Sequence, residues 1–176
     1  MTPENLDPSE NLLLAALPAG ELRQLLPRAK PVTLNDKESI YEQEGRVDAV
    51  YFPLTGAVSM LTRMGDGNAV EAAVVGKQGF VGFPVLFGAE TSFAEALVQV
   101  PGHALKLTVD AFRDITTPVL TKLVLPYAQF VFKEVFVSNG CNRFHTVEQR
   151  ISRWLLAHRV RTYKNVFPFT HEFLAY

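Results

Sequence analysis

Cysteine is nearly absent from this chain of 176 residues, with Cys141 the only one. That excludes a disulfide framework. It also excludes an iron–sulfur cluster held by this chain alone, since such clusters take about four thiolates. Cys141 falls in a helical stretch and reads as a buried, inert thiol. Long hydrophobic runs are missing too, since none approaches the roughly 18 residues of a membrane span. Residues 1–10 (MTPENLDPSE) are polar and acidic, unlike the basic-then-apolar start of a secretory leader. The expected setting is a reducing cytoplasm, with no membrane partner. The four histidines (His103, His145, His158, His171) are scattered, with no pair at zinc-site spacing, so no metal is expected. Ser-His-Asp, Cys-His and paired-carboxylate constellations do not stand out, and the chain reads as a non-enzyme. Net charge is also scarce. With 17 basic against 18 acidic groups the balance is −1, which argues against a surface given over wholly to nucleic acid.

Core material is abundant. Hydrophobic residues make up 48% of the chain, with 13 Phe and 5 Tyr, which excludes a disordered chain and suffices for one core plus part of a second. The small net charge hides a division. Residues 141–176 hold six basic groups (Arg143, Arg150, Arg153, Arg159, Arg161, Lys164) and two acidic ones (Glu148, Glu172), leaving the first 140 residues at −5. An acidic body with a basic end suggests two units with different partners, and one solvated helix face is the plainer alternative.

Residues 9–26 read as two short helices, with Ser9 as the first cap and Pro18-Ala-Gly20 as the break. From about residue 27, short runs of Val, Tyr, Phe and Thr alternate with polar residues between Gly and Asp clusters. Strands are predicted at Ala49–Pro53, Ala57–Thr62, Ala69–Val75, 96–100 and 103–108, the second and third joined as a hairpin by Met64–Asn68. Their shortness and spacing indicate an antiparallel sandwich or barrel. Helices follow at Val109–Ile115, at about Pro118–Phe144 with Pro126 awkward inside it, and at Thr146–Thr162 with Thr146 as cap. In the last, Val147, Ile151, Trp154, Leu155 and His158 fall on one face. The 118–144 stripe is wide enough to pack on the barrel with one face and on a partner chain with another. Thr170–Tyr176 reads as the opening turns of a further helix.

The strings Val50–Pro53 with Gly56, Asp66-Gly67 leading to Glu71, Val75–Gly82, Val98–Gly102, Cys141–Arg143 with His145, Val147–Arg150, Arg153–Leu156 and Thr170–Ala175 occur in a telling order. In them the chain resembles the CRP/FNR superfamily of bacterial transcription regulators, over essentially residues 10–176. The resemblance implies an α+β fold: a cyclic-nucleotide-binding-like antiparallel β-roll of jelly-roll type, with N-terminal short helices and a long dimerisation helix. An incomplete winged helix-turn-helix follows. The implied division is a sensor domain over 1–115, a dimer helix over 116–144 and the start of a DNA-binding domain over 145–176. The recognition helix would lie beyond residue 176, so the chain is expected to be a fragment or a natural truncation that does not bind an operator specifically.

The resemblance also implies site residues. Gly79, Phe80, Val81 and Gly82 match the start of the glycine-rich cassette that holds a cyclic phosphate, where backbone N–H groups and a helix start favour an anion. The next position usually carries a glutamate for the ribose hydroxyl and is Phe83 here. Where an arginine and a Ser or Thr usually meet the phosphate, this sequence has Ala94, Glu95 and Ala96. Alanine cannot neutralise a phosphate and Glu95 would repel it, so cyclic AMP is not the expected ligand. Two readings stand: a pocket for another small-molecule effector of unknown identity, lined by Phe80, Phe83, Phe87 and Phe93, or a filled roll with no ligand. Leu120, Leu123, Val124, Tyr127, Val131 and Val135 are assigned to the dimer seam of a homodimer. Arg159, Arg161, Lys164, Thr170 and His171 are the candidates for DNA backbone contacts. The rival reading is a stand-alone sensing or dimerising module without DNA binding.

Overall fold

The computed structural model describes residues 6–162. Two short helices open it, α1 (Leu12–Ala15) and α2 (Ala19–Leu25). Seven strands follow: β1 (Lys30–Leu34), β2 (Ser39–Tyr41), β3 (Ala49–Pro53), β4 (Ala57–Arg63), β5 (Ala69–Val75), β6 (Glu95–Val100) and β7 (Gly102–Thr108). Three helices complete the order, α3 (Val109–Asp114), α4 (Pro118–Phe144) and α5 (Val147–Thr162). The fold is α+β, as expected.

All strand pairs are antiparallel. One sheet has the order β1-β7-β3 and the other β2-β6-β4-β5. The β4–β5 hairpin forms because Met64–Asn68 can reverse the chain: Gly67 sits at φ +88°, and Asp66 accepts from the Asn68 backbone N–H at 3.0 Å. Between the sheets lies one core, in which Val50 and Phe52 of β3, Val58 and Met60 of β4, Val75 of β5, Val98 of β6 and Leu107 of β7 meet. Strands β1 and β2 escape the sequence reading because β1 is largely exposed and carries Pro31, while β2 has three residues.

The cap of α1 is a correction. Asn11, not Ser9, accepts from the Leu13 and Leu14 backbone N–H groups at 3.1 and 3.2 Å. Ser9 instead belongs to a short 3-10 turn capped by Asp7. Helix α4 runs unbroken through Pro126. The bond that the proline ring removes would have gone to the Lys122 carbonyl, and both residues lie on the exposed side, where water can take that acceptor. A two-residue link separates α4 from α5, with His145 extended at ψ 151°. A capping box starts α5: Thr146 Oγ1 accepts from Gln149 N at 3.4 Å, and Gln149 Oε1 accepts from Thr146 N at 3.0 Å.

Candidate functional site

The segment between β5 and β6 crosses one end of the roll, and neighbours on three sides define its path. The Asn11 side chain, fully buried, donates to the Pro53 and Gly79 carbonyls at 2.9 and 2.8 Å, so the cap of α1 also ties Gly79 to the end of β3. Val81 exchanges two backbone hydrogen bonds with Tyr51, at 2.8 and 2.9 Å. Gly82, at φ +104°, turns the chain into a 3-10 helix over Phe83–Phe87. From the third side comes α4. A Cβ on Gly79 would lie 1.8 Å from Cζ of Tyr127, so the tyrosine ring rests directly on the glycine backbone.

The glycine turn is therefore present and α4 covers it. Phe80 does not line an open pocket. Its ring joins Phe52, Phe112 and Tyr127 at centroid distances of 5.6, 6.0 and 5.8 Å, a cluster that ties β3, α3 and α4 together. The other phenylalanines expected to converge there do not. Phe83 is buried and meets the exposed Phe93, while the exposed Phe87 packs on Phe132 of α4. Ala94 and Ala96 point into the roll and leave it apolar. Glu95 points the other way. It pairs with Leu61 on the outer face and forms an ion pair with Arg63 at 2.5 Å, so its charge is not aimed at the interior.

Two polar groups remain in this interior. The hydroxyls of Tyr41 and Tyr127 are buried, and neither makes a hydrogen bond of good geometry among the described residues, although the Gly82 amide and the Ser92 hydroxyl lie near that of Tyr41. Burial holds the Tyr41 phenol above its usual range, offset in part by the Gly82 amide and the Ser92 hydroxyl. Tyr127 is raised by burial as well, with Arg161 pulling it down and Tyr41 adding slightly to the rise. An unsatisfied buried hydroxyl costs about 1–3 kcal/mol. Spacing along the sequence gives no hint of this pair, because its members stand 86 positions apart.

The expected dimer seam faces inward. Leu120, Val124, Tyr127 and Val131 are buried against the roll, and Leu123 and Val135 pack partly on the same core. The side turned to solvent carries Leu125, Phe132, Phe136 and Val137, with Phe136 74% exposed. A helix apolar on two sides holds no sequence signal for which side its own chain covers. Of the basic candidates, Arg159 is exposed, whereas Arg161 is buried and bonded to the Val74 carbonyl and Glu134. Lys164, Thr170 and His171 lie outside the described residues. Cys141 is a buried free thiol. Among the described residues no group of His, Cys, Asp and Glu could hold a metal ion, and no helix is long and apolar enough to cross a membrane.

The comparisons with known proteins agree with this geometry. Residues 31–117 match the family model of the cyclic nucleotide-binding domain. No curated protein sequence matches the chain significantly. Among solved structures it is similar to CLP, the c-di-GMP-responsive global regulator of Xanthomonas campestris (14% identity, 81% of this chain and 72% of that one, TM-score 0.65). It is also similar to a variant of CooA from Carboxydothermus hydrogenoformans (14% identity, 81% and 93%, TM-score 0.60). A third likeness is to the regulatory subunit of a cAMP-independent protein kinase A from Trypanosoma brucei (18% identity, 77% of this chain, TM-score 0.59), of which the chain spans 48%. At these identities the likeness is one of fold. Residues 31–117 thus match the cyclic nucleotide-binding domain model, in a chain whose fold is like that of CRP/FNR regulators.

Proposed function

We propose that the chain is the sensor and dimerising part of a CRP/FNR-type transcription regulator, with the sensor over 1–115, the dimer helix over 116–144 and the opening of a DNA-binding domain from 145. The effector is a small molecule held between the glycine turn and α4. Direct contact of Tyr127 with Gly79 carries this reading: whatever enters at the turn must displace or engage the helix that leads to the C-terminal region. The chemistry favours a neutral, hydrogen-bonding ligand. Two buried phenols can donate and accept there, while Ala94 and Ala96 stand in place of groups that would neutralise a cyclic phosphate. Effector binding then shifts the population of α4 positions, and the shift is passed to the region from 145 onward that would meet DNA.

Calorimetric titration tests the ligand class. Cyclic AMP and c-di-GMP are expected to give no saturable heat at micromolar concentration, and tight binding of either overturns the assignment. Tyr41→Phe and Tyr127→Phe separate an occupied site from a filled roll. If a ligand uses the hydroxyls, each substitution weakens its binding by roughly tenfold, the equivalent of one hydrogen bond. If nothing binds, each removes an unsatisfied group and raises stability instead.

A further inference from the structure

Helix α5 does not stand away from the roll. It lies on the outer face of the β2-β6-β4-β5 sheet, and what joins them is polar. A bulge creates the seat: Met60 pairs with Ala73 and Leu61 with Glu71, so Ala72 is an extra residue and Glu71 changes from the core face to the outer face. There Ser59 Oγ of β4 lies 2.6 Å from the Glu71 carboxyl and 2.9 Å from Gln99 Oε1 of β6. Trp154 of α5 also hydrogen-bonds Glu71, and Arg153 and Arg161 act on its charge. Arg153 donates to Ser138 of α4 at 3.1 Å. Arg161 donates to the Val74 carbonyl at 2.8 Å and to Glu134 of α4 at 2.6 Å. At the far end Gly76 allows close approach, since a Cβ there would meet the Arg161 carbonyl oxygen at 2.8 Å. The opposite side of α5 leaves Leu155, Leu156 and Val160 exposed.

We propose that this cluster is a latch: α5 is held on the roll by polar contacts centred on Glu71 and is released from it as a unit, about the link at residues 145–146, while the roll stays folded. The inference goes beyond the ligand reading and does not depend on what, if anything, the roll binds. A seam of this kind suits release because its groups can be hydrated on opening, whereas the apolar seam of α4 cannot.

Two titratable groups in the seam oppose each other. Burial raises the Glu71 carboxyl to about 7 against the pull of Ser59, Trp154, Arg161 and Arg153, so the docked state binds that proton more tightly. Burial and Arg161 lower His158, whose ring meets Trp154 at 4.1 Å, to about 3, so the docked state rejects that proton. The remaining charge facing the cluster from α4 is Glu134, paired to Arg161. As pH rises between the ordinary carboxylate and imidazole values, the Glu71 linkage weakens docking about tenfold per unit and the His158 linkage strengthens it equally. The two cancel, and each is unmasked when the other is removed.

Hydrogen exchange of the α5 amides, expressed as protection over intrinsic exchange, reads the opening directly. In the unaltered chain, α5 protection is expected to be far below that of the β4 and β6 amides and flat from about pH 4.5 to 6.5. Glu71→Gln should make it climb about tenfold per pH unit, and His158→Gln should make it fall by the same factor. Gly76→Val wedges the seam from the roll side. Trp154, the sole tryptophan, should then shift its emission to the red and become quenchable by acrylamide, with far-UV circular dichroism and strand protection retained. The proposal is overturned if α5 and the strands lose protection only together, if both charge variants keep the flat profile, or if Trp154 stays shielded in Gly76→Val.

Discussion

Asn11 performs two tasks with one amide. Its oxygen caps α1 and its nitrogen holds the carbonyls of Pro53 and Gly79, all without solvent. Asn11→Ala removes the cap and strands two buried acceptors, so unfolding in urea is expected to show a loss of about 2 kcal/mol or more. Gly79 is the complementary case. Any side chain there enters the Tyr127 ring, so Gly79→Ala should destabilise by about 1–3 kcal/mol, visible as a lower thermal midpoint, and should lift Tyr127 off the turn. Both residues sit in legible strings, yet their tasks were not legible. The signal for Gly79 was its family resemblance, while the partners of Asn11 are 42 and 68 residues away.

Among elements, the strands that alternate cleanly were readable, and the β4–β5 hairpin follows from its pattern and its Asp-Gly turn. The same alternation misplaces Glu71, because one bulged residue inverts the faces beyond it. Helix α5 was readable at both ends through its Thr146 cap and its periodicity. Its capping box makes a separate prediction: Thr146→Ala should cost about 1 kcal/mol, seen as loss of α5 protection with the roll strands unaffected. What α5 packs against could not be read, since its polar face looks like a solvated one until Ser59, Glu71 and Gln99 are placed beneath it.

For the molecule as a whole, the proposed dimer calls for a surface that meets a second copy. With Leu120, Val124 and Tyr127 turned to the roll, the surface left for a partner is that of Leu125, Phe132 and Phe136. A single exposed aromatic needs no explanation, but several on one helix face indicate an interaction surface. Native mass spectrometry is expected to find a dimer, and Phe136→Glu should convert it to monomer without lowering the thermal midpoint of the roll. A dimer that survives this change places the seam elsewhere.

The acidic body and basic end that the sequence displays acquire a different meaning once folded. Sequence alone determined the antiparallel strands, their order with the helices and the lack of cysteines for a cluster, because these depend on local pattern and composition, while the α+β roll and its glycine turn came from the resemblance of its strings to a family. Tertiary structure decided which face of α4 is covered, where Glu95 and Arg161 point, and that Tyr41 and Tyr127 share one interior. Each of these depends on long-range pairing and on bulges that reverse a face, and neither leaves a periodic trace in the chain.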